Sequence, residues 1–285
     1  MRLSMGKLLV VFFILCGLFF IYCNTTDNAL EINDDKINVV VSILPLADFV
    51  EKVGVDKVNV IVMIPPQASP ATYEPKPSQL KSVSNADMYV KVGSPIPFEQ
   101  VWMEDIIKMN RNMHVTDCSK GIEIIEKDPH IWLSPRNAKI MVENIYNGLI
   151  EIDPPNKNYY LNNKEKYILE LESVDKNIEL IFSDISNRKI IVFHPAWRYF
   201  ALDYELEQIP IEIEGKEPSS ADISGLIDFA KEKNISIVFA QPQFNAKSAK
   251  LIANEIEGNV VFVDSLAKDY TKNLMNVSKS FARKL

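Results

Sequence analysis

The chain is organised around seven short runs of β-branched and aromatic residues: INVVVSI (37–43), VNVIVMI (58–64), DMYVKVG (87–93), KIIVFH (189–194), QIPIEI (208–213), SIVFAQ (236–241) and NVVFVD (259–264). Runs of this length without strict polar alternation suit strands covered on both faces, as in a parallel sheet. Parallel neighbours need a crossover between them. Segments with helical periodicity fill the intervals: ADFVEKVG, PSQLKSVSNA, RNAKIMVENIYNGLIEI, ADISGLIDFAKEKN and AKSAKLIANEIEG. The expected class is α/β.

One segment breaks this alternation. From Pro154 to Ser186 the chain places Tyr167, Ile168, Leu171, Val174, Ile178, Ile181, Phe182 and Ile185 at steps of three and four, with no proline or glycine after Pro155. This predicts one amphipathic helix of about 30 residues, or about 45 Å. Three predicted strands precede it and four follow. The expectation is two α/β lobes, each with a mainly parallel sheet flanked by helices, joined by one long rigid helix. The boundaries are 37–154 for the N-terminal lobe, 155–186 for the interlobe helix and 187–285 for the C-terminal lobe. No internal sequence repeat is visible.

The N-terminus has a different character. Arg2 and Lys7 precede LLVVFFILCGLFFIYC, an uncharged apolar run of 16 residues ending at Cys23. That is the form of an export signal, and it is short for a membrane span of about 20 residues. A cysteine closing such a run resembles a bacterial lipobox, although Tyr22 stands where a small residue is usual. Residues 1–23 are therefore expected to be an export or lipoprotein signal with Cys23 as the lipid anchor, an uncleaved anchor being the alternative. Residues 24–36, NTTDNALEINDDK, read as a flexible tether.

With residues 1–23 set aside, Cys118 is the one remaining cysteine, so no internal disulfide is available. Removing Arg2 and Lys7 leaves 29 basic against 38 acidic residues, a net charge of −9. This argues against nucleic acid and polybasic membrane contact and is compatible with cationic ligands. A monomer is expected.

The unusual residues fall where open parallel sheets bind ligands, beyond the carboxyl ends of strands. His194 closes KIIVFH, Asp264 closes NVVFVD, and the loop PPQASPATYEPKP follows VNVIVMI. His130 lies between two prolines in DPHIWLSP, just before a helix. Two histidines and a carboxylate converging on a cleft would suit Zn²⁺, Mn²⁺ or Fe²⁺. A strand-terminal histidine also suits a hydrogen-bonded structural role, and a strand-terminal aspartate also caps turns; spacing alone leaves both open. His114, in MNRNMHVTD, has no motif around it and reads as incidental.

At these residues a resemblance enters. PPQASPATYEPKPSQL, DPHIWLSP, FHPAWRYFALDY, EGKEPSSADI and FVDSLAKDY, in this order and spanning residue 37 to the C-terminus, resemble the cluster A-I metal-binding proteins of ABC transporters. The resemblance implies a receptor that captures one zinc, manganese or iron ion between two lobes and delivers it to an ABC permease in the cytoplasmic membrane. It aligns His130, His194 and Asp264 with the second, third and fourth metal ligands of that family. The first is replaced: where the family has Pro-His-x-Tyr-Glu-Pro, this chain has Ala71 after Pro70, and alanine carries no donor atom.

Three accounts of that replacement are open: a water or small anion completes the shell, another side chain does so, or binding is weakened. Gln67, Glu74, Glu212 and Glu214 are the candidates nearest in sequence. The histidine-rich loop of many zinc receptors is absent before DPH, yet histidine in third position favours zinc over manganese or iron. Three ligands and an open position also describe catalytic zinc, so a secreted metallohydrolase is the runner-up reading. An adhesin on the same fold is the third.

Overall fold

The computed structural model describes residues 36–213 and 215–283. The expected export signal, Cys23, all but the last residue of the tether, and Glu214 lie outside the described residues. In chain order the first half comprises β1 (Ile37–Val41), α1 (Leu44–Gly54), β2 (Val58–Val62), α2 (Pro77–Ser84), β3 (Met88–Lys91), α3 (Pro97–Met109), β4 (His114–Asp117) and α4 (Pro135–Ile152). After a 3₁₀ turn at Pro154–Asn156 comes α5 (Lys157–Phe182). The second half comprises β5 (Lys189–Val192), α6 (Arg198–Asp203), β6 (Glu207–Pro210), α7 (Ser220–Glu232), β7 (Ile237–Ala240), α8 (Lys247–Glu255), β8 (Asn259–Phe262) and α9 (Tyr270–Ala282).

Each half carries a four-stranded, wholly parallel sheet, ordered β2-β1-β3-β4 and β6-β5-β7-β8. The two orders are the same although the sequence shows no repeat. In each, the chain passes to one side of the first strand and then to the other, which creates the crevice where such sheets bind ligands. The central strands are the apolar ones: Val39, Val40 and Val41 are fully buried, and every residue of β7 is buried. The edge strands β6 and β8 are partly exposed.

The structure corrects the sequence reading in three places. Four strands, not three, precede α5; β4 was missed because HVTD is short and half polar, and it is held by pairing with β3, Met88 opposite His114. Most predicted strands ended about two residues too late, so His194 and Asp264 stand in the loops beyond β5 and β8. The long helix has 26 residues, about 39 Å. It starts after the 3₁₀ turn and stops where the Ser183 hydroxyl and amide both turn back to the Leu180 carbonyl, at 3.0 and 3.4 Å.

Helix α5 buries Tyr160, Tyr167, Leu171, Val174, Ile178 and Phe182 as a single stripe. It packs against α1 and α4 of the first half and α9 of the second. Helix α9 also reaches both halves, with Tyr270 edge-on to Phe49 at 4.8 Å and Phe281 edge-on to Phe239 at 4.7 Å. One apolar core therefore runs through both lobes.

Leu171 is fully buried in this seam. Leu171→Ala should cost about 2–5 kcal/mol. Leu169→Ala, on the exposed face at 64% accessibility, should stay within about 0.5 kcal/mol. Urea unfolding followed by circular dichroism compares the two.

Candidate metal centre

His130 is delivered by a tight loop. Glu126 and Lys127, just before it, both adopt left-handed backbone, φ 47° and 63°, at a cost of about 1 kcal/mol or more each. Residues of α6 hold this loop: the Tyr199 hydroxyl accepts from the Ile125 amide (3.0 Å) and lies 3.2 Å from the Asp128 carbonyl, and Arg198 pairs with Glu126 (2.7 Å) and Asp128 (3.3 Å). Asp128 then turns back on His130, its Oδ1 accepting from the backbone amide at 2.9 Å and standing 2.8 Å from Nδ1. Four residues on, the Ser134 hydroxyl caps α4 by accepting from the Asn137 amide (3.0 Å) and donates to Asp203 (2.5 Å).

His194 comes from the other half. Its backbone has left the sheet, and the buried Gln241 amide replaces strand pairing by accepting from the His194 N–H (3.3 Å) and donating to its carbonyl (2.9 Å). The ring stacks on Phe244 at 4.5 Å. Its Nδ1 is 3.2 Å from both oxygens of the buried Glu212.

These constraints bring the two Nε2 atoms to 3.3 Å from one another. Each Nδ1 faces a carboxylate, which only accepts hydrogen bonds when ionised, so each ring is set to carry its proton on Nδ1 and a lone pair on Nε2. Two facing lone pairs repel unless a cation lies between them. Nitrogen ligands of a tetrahedral zinc, about 2.0–2.1 Å from the ion, stand about 3.3 Å apart. Carboxylates behind metal-binding imidazoles fix the tautomer and raise ligand basicity.

Asp264 is adjacent. Its Oδ1 accepts from Gln243 Nε2 (2.6 Å) and the Leu266 amide (2.9 Å). A cavity of about 450 Å³ is walled by both histidines, by Gln243, Ser265 and Leu266 around Asp264, and by Ala71. Asp264 itself is not on that wall, and among the described residues no three His, Cys, Asp or Glu side chains gather at one point. Gln67 and Glu74 are exposed and off the wall. Glu212 is engaged behind His194. His114 starts β4, with Nδ1 3.5 Å from Glu151, and Cys118 is fully buried. The supporting residues Asp128, Gln241 and Phe244 escaped the sequence reading; only Asp128, inside the DPH motif, offered a signal.

Burial holds the His130 imidazole below its ordinary value of 6.5, against the opposing pull of Asp128. The unfolded chain therefore takes up this proton first as pH falls. The contribution of His130 to metal-free stability is intact above about 6.5 and is lost as pH drops below it. Urea midpoints of wild type and His130→Gln from pH 8 to 5 should show the steeper acid decline in wild type.

The family described as ZnuA, periplasmic component A of the zinc-uptake complex, matches residues 39–283. The high-affinity zinc uptake system protein ZnuA of Bacillus subtilis is 28% identical over 266 residues, covering 85% of this chain and 82% of its own. The manganese-binding lipoprotein MntA of Halalkalibacterium halodurans is 26% identical over 243 residues, covering 82% and 80%. A crystal structure of ZnuA superposes with a TM-score of 0.85 at 44% identity, covering 88% of this chain and 99% of that one. Matched across both sheets and the helix that links them, this chain belongs to the ZnuA family of periplasmic zinc-uptake components.

Proposed function

We propose that this chain is an extracytoplasmic receptor that captures one divalent transition-metal ion through His130, His194 and Asp264 and hands it to an ABC permease. The observation that carries this reading is the 3.3 Å approach of the two imidazole Nε2 atoms, each ring braced by a carboxylate. Zinc is the preferred cargo, because two imidazoles and one carboxylate form a nitrogen-rich set suited to a tetrahedral ion, whereas manganese favours more oxygen. Relatives named for zinc and for manganese support the cargo class. In this reading Cys23 anchors the protein outside the cytoplasmic membrane, and lobes 37–154 and 187–285, joined by the helix 155–186, hold the ion between them. The chain is a receptor and not an enzyme: membership of an uptake-component family overturns the metallohydrolase alternative.

Calorimetry on residues 24–285 with Zn²⁺ and Mn²⁺ tests the assignment. One zinc equivalent is expected, with His130→Ala and His194→Ala each weakening it by about two decades, roughly 2.8 kcal/mol. An unchanged isotherm in the double variant would remove both histidines from the site.

Ala71 lies on the cavity wall, which supports reading it as standing in the place of the family's first histidine. Ala71→His should tighten zinc by about one decade, near 1.4 kcal/mol, and manganese by less. Titration against a chelator of known affinity measures both, and no gain for zinc would mean that another group already serves that place.

A further inference from the structure

We propose that Gln243 sets the metal preference of this site by leaving Asp264 a single oxygen to offer. The inference rests on reading Asp264 as a ligand. A carboxylate oxygen has two in-plane lone pairs, and those of Asp264 Oδ1 are both engaged, by Gln243 Nε2 at 2.6 Å and by the Leu266 amide at 2.9 Å. Among the described residues Oδ2 accepts no hydrogen bond. The backbone is fixed as well, since Asn273 donates to the Asp264 carbonyl (2.7 Å) and Trp132 to the Ser265 carbonyl (2.7 Å). The carboxylate therefore cannot turn to present both oxygens while the Gln243 amide is in place.

Gln243 makes this bond against a penalty. Its own Oε1 is buried without a partner, a destabilising state. The reversed amide would set two oxygens against each other, so the carboxylate dictates the orientation. The loop after β7 thus serves the centre three times: Gln241 fixes the His194 backbone, Phe244 stacks on its ring and Gln243 restrains Asp264.

One carboxylate oxygen with two imidazoles makes a three-donor set that a solvent molecule completes to a tetrahedron, the geometry zinc adopts. Manganese favours more oxygen donors at a higher coordination number, and the nearest source of one is chelation by both Asp264 oxygens. Freeing Oδ1 should therefore favour manganese selectively.

The experiment compares Zn²⁺ and Mn²⁺ affinities of wild type, Gln243→Met, Gln243→Ala, Asp264→Ala and the Asp264→Ala/Gln243→Met pair by competition titration, with circular dichroism confirming the fold. Both Gln243 variants are expected to lower the zinc-to-manganese affinity ratio by about tenfold or more, chiefly through tighter manganese binding. The change should vanish in the Asp264→Ala background, which mere loosening of the loop would not produce. An unchanged ratio in both Gln243 variants, with Asp264→Ala still weakening metal, would overturn the role of Gln243 and leave the ligand set standing. No effect of Asp264→Ala on either metal would instead remove Asp264 as a ligand and take this inference with it.

Discussion

The apolar core shared by the two sheets is what the approach of the two histidines depends on. His130 and His194 come from opposite halves, and a 3.3 Å approach of their ring nitrogens requires the halves to be placed to within a few tenths of an ångström. Loops alone do not supply that. The placement comes from α5 and α9, which both pack on the two halves, and from aromatic contacts between the halves such as Phe49 with Tyr270 at 4.8 Å. Polar ties then lock the angle near the site: Ser134 to Asp203, Arg198 to Asp128 and Trp132 to the Ser265 carbonyl. Burial raises the Asp203 carboxyl above its usual range, and Ser134 and Arg136 hold it down. The tie is a partly desolvated one, worth more than a surface ion pair.

Within that frame the imidazoles are aimed by what stands behind them. A histidine with a free Nδ1 presents either nitrogen, and its ring turns; with Asp128 or Glu212 behind it, one tautomer and one orientation prevail. The strained turn at Glu126 and Lys127 belongs to the same logic, because it is the turn that brings Asp128 back onto His130. Backbone strain of this kind persists where surrounding contacts over-determine it, and here Tyr199 and Arg198 do so from α6.

Much of the fold was legible in the sequence because parallel strands force crossovers, and alternation survives as pattern. The edge strand β4 was not, since pairing with β3 rather than composition makes HVTD a strand. The position of His194 was legible because chain topology places strand ends at the crevice, and that of His130 because it stands between two prolines just before a helix. Their supports were less so. Glu212 was counted among possible ligands, and its position behind His194 follows from β6 lying beside β5, a fact of sheet order that spacing does not carry. Gln67 and Glu74 share a loop with Ala71, but the left-handed backbone at Gln67, φ 66°, belongs to a turn whose side chain faces solvent while Ala71 reaches the cavity. Gln241 and Gln243 are uncharged and sit in no motif, so nothing in composition marks them.

Charge supports the proposed reading of this site as one for a divalent cation. Asp128 and Glu212 stand behind the two histidines and Asp264 lies behind the Gln243–Leu266 side of the cavity, while among the described residues Arg198 and Lys127 are the cations on its wall, Arg198 paired to Asp128 at 3.3 Å. Three carboxylates against one guanidinium leave two formal negative charges, and the exposed Glu126 and Lys127 at the rim cancel. Neutral imidazoles add donors without adding charge. A doubly charged ion therefore brings this partly buried cluster to neutrality, whereas a singly charged one leaves a net charge in surroundings that penalise it. Loss of Arg198 would deepen the negative field and remove a clamp on the His130 loop at once, so its contribution to metal affinity is the balance of an electrostatic cost and a gain in preorganisation.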